Sequence, residues 1–214
     1  MRAALRSVRC VEARVAVLAS GEGTNLQALL DDPVVGGWIA LVVSDRADAK
    51  ALERARDRGI AARHLDVKGY RDRASYDGAL RELLEGERVG CVVLAGFMRM
   101  LGPEVVRSFE GRIVNVHPAL LPSFPGAHAV SDALAWGAKV TGVTVHLVDE
   151  QMDHGPIVAQ EAVPVLPDDD WDSLESRIHE VEHRLLPAAV RAMAEGRLRV
   201  EGRSVHVLEE PAGG

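Results

Sequence analysis

Short, nearly continuous apolar runs separated by amphipathic stretches constrain this chain more than any other feature. Residues 14–19, 39–43, 61–65, 91–95 and 112–117 read as strands, most of them bounded by glycine or polar turns. A strand that is apolar along its whole length must be covered on both faces, which is the arrangement of a parallel sheet with helices above and below it. Helices are expected from Thr24, over residues 47–58 with Gly59 as the stop, and near residues 72–84. In the last of these, Tyr76, Leu80, Leu83 and Leu84 recur at i, i+4, i+7 and i+8. The pattern then changes. Residues 140–148 and 157–165 are separated by a turn-rich segment too short for a crossover helix, so these two strands should pair antiparallel. A long helix over residues 171–194 brings Leu174, Ile178, Val181, Leu185 and Leu186 to one face. Residues 196–207 read as a small hairpin. With no repeat and no dividing linker, the expectation is one α/β domain at residues 13–205, an N-terminal extension at 1–12 and a flexible tail at 206–214.

Composition narrows the function. With 47% hydrophobic and 27% charged residues, the 214-residue chain can bury a sizeable core. No apolar run approaches the ~20 residues that span a bilayer, and the basic first twelve residues lack the apolar centre of a secretory signal. A net charge of −7 and 4% aromatic residues argue against a dedicated nucleic-acid binder. Small anionic ligands stay open, because a few local donors can hold a phosphate on an acidic protein. Cys10 and Cys91 cannot make a disulfide framework, so a reducing, cytoplasmic setting is expected.

Four stretches carry chemistry. Ser20-Gly21-Glu22-Gly23-Thr24-Asn25 follows the first strand and opens a helix, where glycines let backbone N–H groups approach an anion. It is neither a P-loop, lacking Gly-Lys-Ser/Thr, nor the full dinucleotide fingerprint, since Leu26 stands in place of the third glycine. Asp45, after the second strand, lies where a ribose-binding acid would sit; an ordinary tight turn and a loop acid are the competing reading. In Asn115-Val116-His117-Pro118, residues two apart share a face of a strand, so Asn115 and His117 point together. Such a pair can stabilise an oxyanion at an acyl carbon, and it is costly to bury unpaired. In Asp149-Glu150-Gln151-Met152-Asp153-His154-Gly155-Pro156, a carboxylate can orient His117 and favour its charged form, although acids in a loop are usually just solvated. His179-Glu180-Val181-Glu182-His183 matches the H-E-x-x-H zinc pattern, with His128, His146 or Asp153 as conceivable further ligands. Against zinc, Ile178 and Val181 belong to the core face of the same helix.

The blocks Ala19 to Gln27, Leu94-Ala95-Gly96-Phe97-Met98-Arg99, Asn115 to Pro122 and Met152 to Pro156, in this order and spacing, resemble the folate-dependent phosphoribosylglycinamide formyltransferases of purine biosynthesis. The resemblance runs from about Arg14 to Leu198 and implies a mostly parallel, Rossmann-like sheet with antiparallel C-terminal strands and helices on both faces. By resemblance, Gly23, Thr24 and Asn25 match the loop that holds the ribonucleotide phosphate, and Glu182 matches the acid that contacts the ribose. Met98, Arg99, Met100 and Leu101 match the folate-pocket lining, Asp149, Glu150, Gln151 and Met152 the loop around the pterin, and Arg73 a folate-side arginine. Asn115, His117 and Asp153 match the catalytic polar residues. Departures are Glu22, Ala119 and His154, where the family often carries asparagine, serine, and glycine or threonine. A Glu22 turned inward would repel a phosphate, so it is expected to face solvent.

The resemblance implies direct attack of the substrate amine on the formyl carbon of 10-formyltetrahydrofolate as co-substrate. Asn115 and a protonated His117 would stabilise the oxyanion and Asp153 would support the imidazolium, with no metal involved. Small molecules, not nucleic acid or membrane, are the implied partners, and a homodimer is compatible. Related formyltransferases acting on methionyl-tRNA or nucleotide sugars share the Asn-His-Asp pattern but carry a further domain, for which little chain remains after Leu198. A formyl-folate hydrolase, a non-catalytic phosphate-binding module and a zinc hydrolase also compete with this reading.

Overall fold

The computed structural model describes residues 6–8, 10 and 12–209. Among these, ten strands form one sheet: β1 (Arg6–Val8), β2 (Val15–Leu18), β3 (Ile39–Ser44), β4 (Ala61–His64), β5 (Cys91–Leu94), β6 (Ile113–His117), β7 (Val140–Leu147), β8 (Ile157–Pro164), β9 (Leu198–Glu201) and β10 (Ser204–Val207). Their spatial order is β1-β9-β10-β8-β7-β6-β5-β2-β3-β4. The block β4-β3-β2-β5-β6 is parallel, while β6–β7, β7–β8, β9–β10 and β1–β9 are antiparallel. The α/β class, the mostly parallel sheet and the antiparallel late strands agree with the sequence expectation.

Helices α1 (Thr24–Asp31), α2 (Lys50–Asp57), α3 (Arg73–Gly86), α4 (Pro103–Ser108), α5 (Ala129–Trp136) and α6 (Trp171–Ala194) cover both faces. Strand alternation separates two cores. Val15 and Val17 pack with α1, α2 and α6, whereas Ala16 and Leu18 pack with Tyr76, Leu80 and Leu84 of α3 and with α4. Both long helices start on a capping box, Asp72 with Ser75 for α3 and Asp170 with Ser173 for α6. The helix expected from residue 47 starts at Lys50, because Ala49 is still extended at ψ 121°. Helices α4 and α5 were not expected: six and eight residues long, neither has a side-chain cap or enough turns to show a period.

The boundaries expected at residues 13 and 205 are crossed by ladder pairs. Arg6 pairs with Val200, and His206 and Val207 pair with Arg199 and Leu198. The remainder of the expected tail, residues 210–214, lies outside the described residues. Cys10 and Cys91 bond to each other, stapling the N-terminal segment to β5 with a Cα–Cα distance of 5.3 Å, so the cysteines do not support the reducing setting expected from the sequence. No helix among the described residues is long and apolar enough to cross a membrane.

Candidate active site

The chain runs outward from β2 to β3 and β4, then crosses back to β5 and β6 on the other side of β2. A crevice therefore opens beyond the carboxyl ends of β2 and β5, the place where ligands bind in open α/β sheets. The loops after these two strands are tied together there. Ser20 N–H donates to the Gly96 carbonyl at 3.0 Å. Met98 N–H donates to Ser20 Oγ, and Ser20 Oγ–H to Asp45 Oδ1 at 2.6 Å. Asp45 is thus a brace for the 96–99 loop, with Arg99 Nη1 at 3.8 Å from its other oxygen, and not a ribose acid facing the crevice.

A cavity of about 510 Å³ fills the crevice and gathers most of the sequence-predicted residues. Phe97, Met98, Met100, Leu101, Val148 and Met152 make one wall apolar. Met98 is 70% exposed and Met152 53%, so this end presents uncovered apolar surface at a rim. Asn115, His117, His146 and Asp153 form one polar cluster in the lining, and Asn25, His179 and Glu182 a second.

In the first cluster, the His117 ring is held by Nε2–H donating to the Phe124 carbonyl at 2.8 Å, which leaves Nδ1 facing Asp153 Oδ2 at 3.6 Å. Burial pushes the His117 imidazole below its ordinary value, with the Asp153 charge opposing this, so the resting ring leans to the neutral form. The sequence reading has a protonated His117 stabilise the oxyanion; burial of the ring opposes that charge and the Asp153 carboxylate favours it. Asp153 has a positive φ of 48°, and its Oδ2 accepts from Gly126 N–H at 2.7 Å. Burial raises its carboxyl, but the Gly126 N–H and the two imidazoles it faces, His146 and His117, together hold it below the usual carboxylate range.

In the second cluster, Asn25 Nδ2–H donates to Glu182 Oε2 at 2.8 Å. Burial pushes the Glu182 carboxyl up, against the Asn25 donor and the nearby His179. Among the described residues no donor reaches the buried Asn25 Oδ1, an acceptor left for a ligand. Gly23 precedes α1 at φ 72°, and a Cβ there would stand 2.9 Å from Ala51 Cα, so only glycine fits the turn. With no side-chain cap and no acid in its first turn, α1 presents free N–H groups at a positive end. Glu22 faces solvent, as expected, paired with Lys50 Nζ at 2.7 Å.

Four predicted residues lie outside this cavity. Gly23 shapes the turn from behind, and Thr24 lines an open outer groove of about 950 Å³ between α1 and α6. Arg73 donates to the Met100 and Leu101 carbonyls at 3.1 and 3.3 Å, so it braces the 98–101 stretch, and it is not among the residues lining the cavity. Glu150 accepts from Arg107 Nε at 2.7 Å and anchors the 149–153 loop to α4. The H-E-x-x-H histidines divide: His179 lines the cavity, 3.8 Å from Glu182, while His183 lines the outer groove. Among the described residues no three His, Cys, Asp or Glu side chains converge to hold a metal.

Sequence reasoning missed Thr144 of β7 and named His146 only as a conceivable metal ligand. Thr144 Oγ1 donates to the Ala119 carbonyl and accepts from Leu121 N–H, fixing the loop after Pro118. His146 touches Asn115. Their i, i+2 spacing in an apolar strand is the signal that singled out Asn115 and His117, and it was available in the sequence.

Residues 13–190 match the formyl transferase family model. The phosphoribosylglycinamide formyltransferase of Mycobacterium tuberculosis is 46% identical over 206 residues, an alignment that covers 95% of each chain. The trifunctional purine biosynthetic protein adenosine-3 of Drosophila melanogaster is 46% identical over 188 residues; there the match covers 86% of this chain but only 14% of that protein's length. Among solved structures, glycinamide ribonucleotide transformylase 1 from Symbiobacterium toebii superposes with a TM-score of 0.89 at 49% identity, covering 92% of this chain and 95% of that one. On sequence and fold alike, the chain belongs to the formyl transferase family.

Proposed function

We propose that this enzyme transfers a formyl group from 10-formyltetrahydrofolate to the amine of 5'-phosphoribosylglycinamide, in purine biosynthesis. The observation that carries the reading is that Asn115, His117 and Asp153 line one cavity together with apolar side chains such as Phe97, Met98 and Met152 and with the polar Asn25 and Glu182. The Met98, Met100 and Met152 side chains offer an adaptable apolar surface for a flat heterocycle, and Asn25 Oδ1 and Glu182 offer acceptors for ribose hydroxyls. The α1 N-terminus and the Gly23 turn supply N–H groups for a phosphate. A family relative that matches along nearly its full length and carries this activity by name supports the same assignment.

The formyl-folate supplies an electrophilic formyl carbon and a nitrogen leaving group. Asn115 donates an N–H to the oxygen that gains charge as the amine nitrogen bonds to that carbon. His117, neutral at rest, takes up the amine proton on Nδ1; Asp153, 3.6 Å away, stabilises the imidazolium as it forms. The proton then passes to the departing folate nitrogen as its bond to the formyl carbon breaks. No covalent enzyme intermediate is required. The setting that goes with this reading is a cytoplasmic, small-molecule enzyme, and a homodimer is compatible with it.

The test is formyl transfer by EDTA-treated protein with glycinamide ribonucleotide and 10-formyl-5,8-dideazafolate, followed by absorbance. Amine-dependent turnover is expected, with His117→Ala reduced by about 10²–10³, the usual loss for one stabilising donor. Folate release without the amine, no reaction, or a His117→Ala variant above about a tenth of wild-type rate would each overturn the assignment.

A further inference from the structure

We propose that His146 is a positioning residue that sets which end of the Asn115 amide faces the reacting carbon; this rests on the function proposed above. The sheet register places His146 directly opposite Asn115 on the antiparallel β6–β7 pair, and side chains of such a pair stand close enough to touch on one face. His146 is 2% exposed and lines the cavity.

Its tautomer follows from its neighbours. Nδ1 lies 2.9 Å from the Leu147 carbonyl oxygen, which can only accept, so Nδ1 carries the hydrogen. We take the ring as neutral, in which case Nε2 is a bare acceptor. Asn115 Nδ2 stands 3.2 Å from it and donates. Asp153 Oδ1, at 3.8 Å from the same nitrogen, is beyond hydrogen-bond distance and carries no proton to give. Turning the amide over would set its carbonyl oxygen against the Nε2 lone pair. The backbone Leu147 carbonyl therefore fixes the His146 tautomer, the tautomer fixes the Asn115 amide, and the amide keeps its N–H₂ group on the side where an oxyanion needs a donor. Without the acceptor, the amide is free to present its oxygen, which repels developing negative charge.

The test compares His146→Leu, His146→Gln and Asn115→Ala, alone and combined. Leucine removes the acceptor while keeping the site apolar and filled; glutamine can return a carbonyl oxygen near the position of Nε2. We expect His146→Leu to lose about tenfold in kcat, the population bias that one ordinary hydrogen bond sets. KM for both substrates should stay within about threefold, and His146→Gln should recover most of the loss. In the Asn115→Ala background His146→Leu should cost nothing further. A folded His146→Leu enzyme with wild-type kcat, a glutamine variant as poor as leucine, or additive losses would overturn the proposal. An independent arm uses nitrogen-15 histidine NMR, with the His146 signals assigned by their absence in His146→Gln. Hydrogen on Nδ1 and a bare Nε2 are expected, and hydrogen on Nε2 would overturn the proposal. This arm needs no turnover, so it still decides the role of His146 if wild-type formyl transfer itself fails and the function above falls.

Discussion

Gly155 links the loop that carries Asp153 to the start of β8, and it has no room for a side chain. A Cβ at this position would stand 1.7 Å from the Leu147 carbonyl oxygen and 2.8 Å from its carbon, whereas real Cβ contacts essentially never fall below 3.0 Å. Gly155→Ala must therefore move backbone by about 1.3 Å, the difference between 3.0 and 1.7 Å. The base of the loop resists, because Leu147 N–H donates to the Pro156 carbonyl at 2.9 Å and His154 Nδ1 meets Asp149 Oδ2 at 2.7 Å. The displacement is passed to the 150–154 segment and hence to Asp153, whose 2.7 Å bond from Gly126 N–H would open past hydrogen-bond range. A misplacement of about 1 Å at a reacting group can cost ~10² in rate, and overpacking a tight site costs about 1–3 kcal/mol. For a chain of this size that stability loss lowers Tm by about 2–12 °C. Gly155→Ala should thus lose about a hundredfold in kcat, measured with saturating substrates, and melt a few degrees lower by calorimetry. A variant that keeps kcat within threefold of wild type would show that the loop relaxes without moving Asp153, and the argument would be wrong even if Tm fell.

Three further outcomes are expected. Burial raises the Glu182 carboxyl above its ordinary value of 4.5, so its contribution to stability is present below that value and is lost as pH rises through the higher folded value. Glu182→Gln should accordingly melt no lower than wild type at pH 8 while KM for the ribonucleotide rises about 10–100-fold, the usual worth of a hydrogen bond to a charged group; a lower melting point at pH 8 or an unchanged KM would contradict this. His117 is depressed below 6.5, so its contribution is present above that pH and is lost as pH falls through the lower folded value. His117→Gln should flatten that limb of the Tm–pH curve, and identical limbs in the two proteins would refute the burial argument. The Cys10–Cys91 bond closes a separation of 81 residues, and a disulfide typically stabilises by about 2–4 kcal/mol. Reductant should lower Tm by about 4–16 °C as two thiols become free to react, and an unchanged Tm with both thiols free would refute the staple.

Much of this protein is legible in the sequence because the information is local. The all-apolar strand at 91–94, the mostly apolar strand at 113–117 and the glycine turn before Thr24 report period and sterics within a few residues, and they were enough to place the parallel sheet and the loop at its carboxyl edge. The i, i+2 pair Asn115 and His117 is local too, as is the long helix with Glu182 at the border of its apolar face. Where a residue acts through a partner far along the chain, the sequence is silent. Arg73 reads as a ligand contact until the fold shows it donating to carbonyls 27 and 28 residues away. Thr24 and Asn25 are neighbours, yet the helix turns one toward the outer groove and the other toward Glu182. The bond between Cys10 and Cys91, the pairing of Asn115 with His146 and the neutral leaning of His117 all depend on strand register and burial. Periodicity and backbone sterics are properties of a segment and survive in the sequence; hydrogen-bond partners, desolvation and which wall of a cavity a side chain meets exist only once distant segments are packed together.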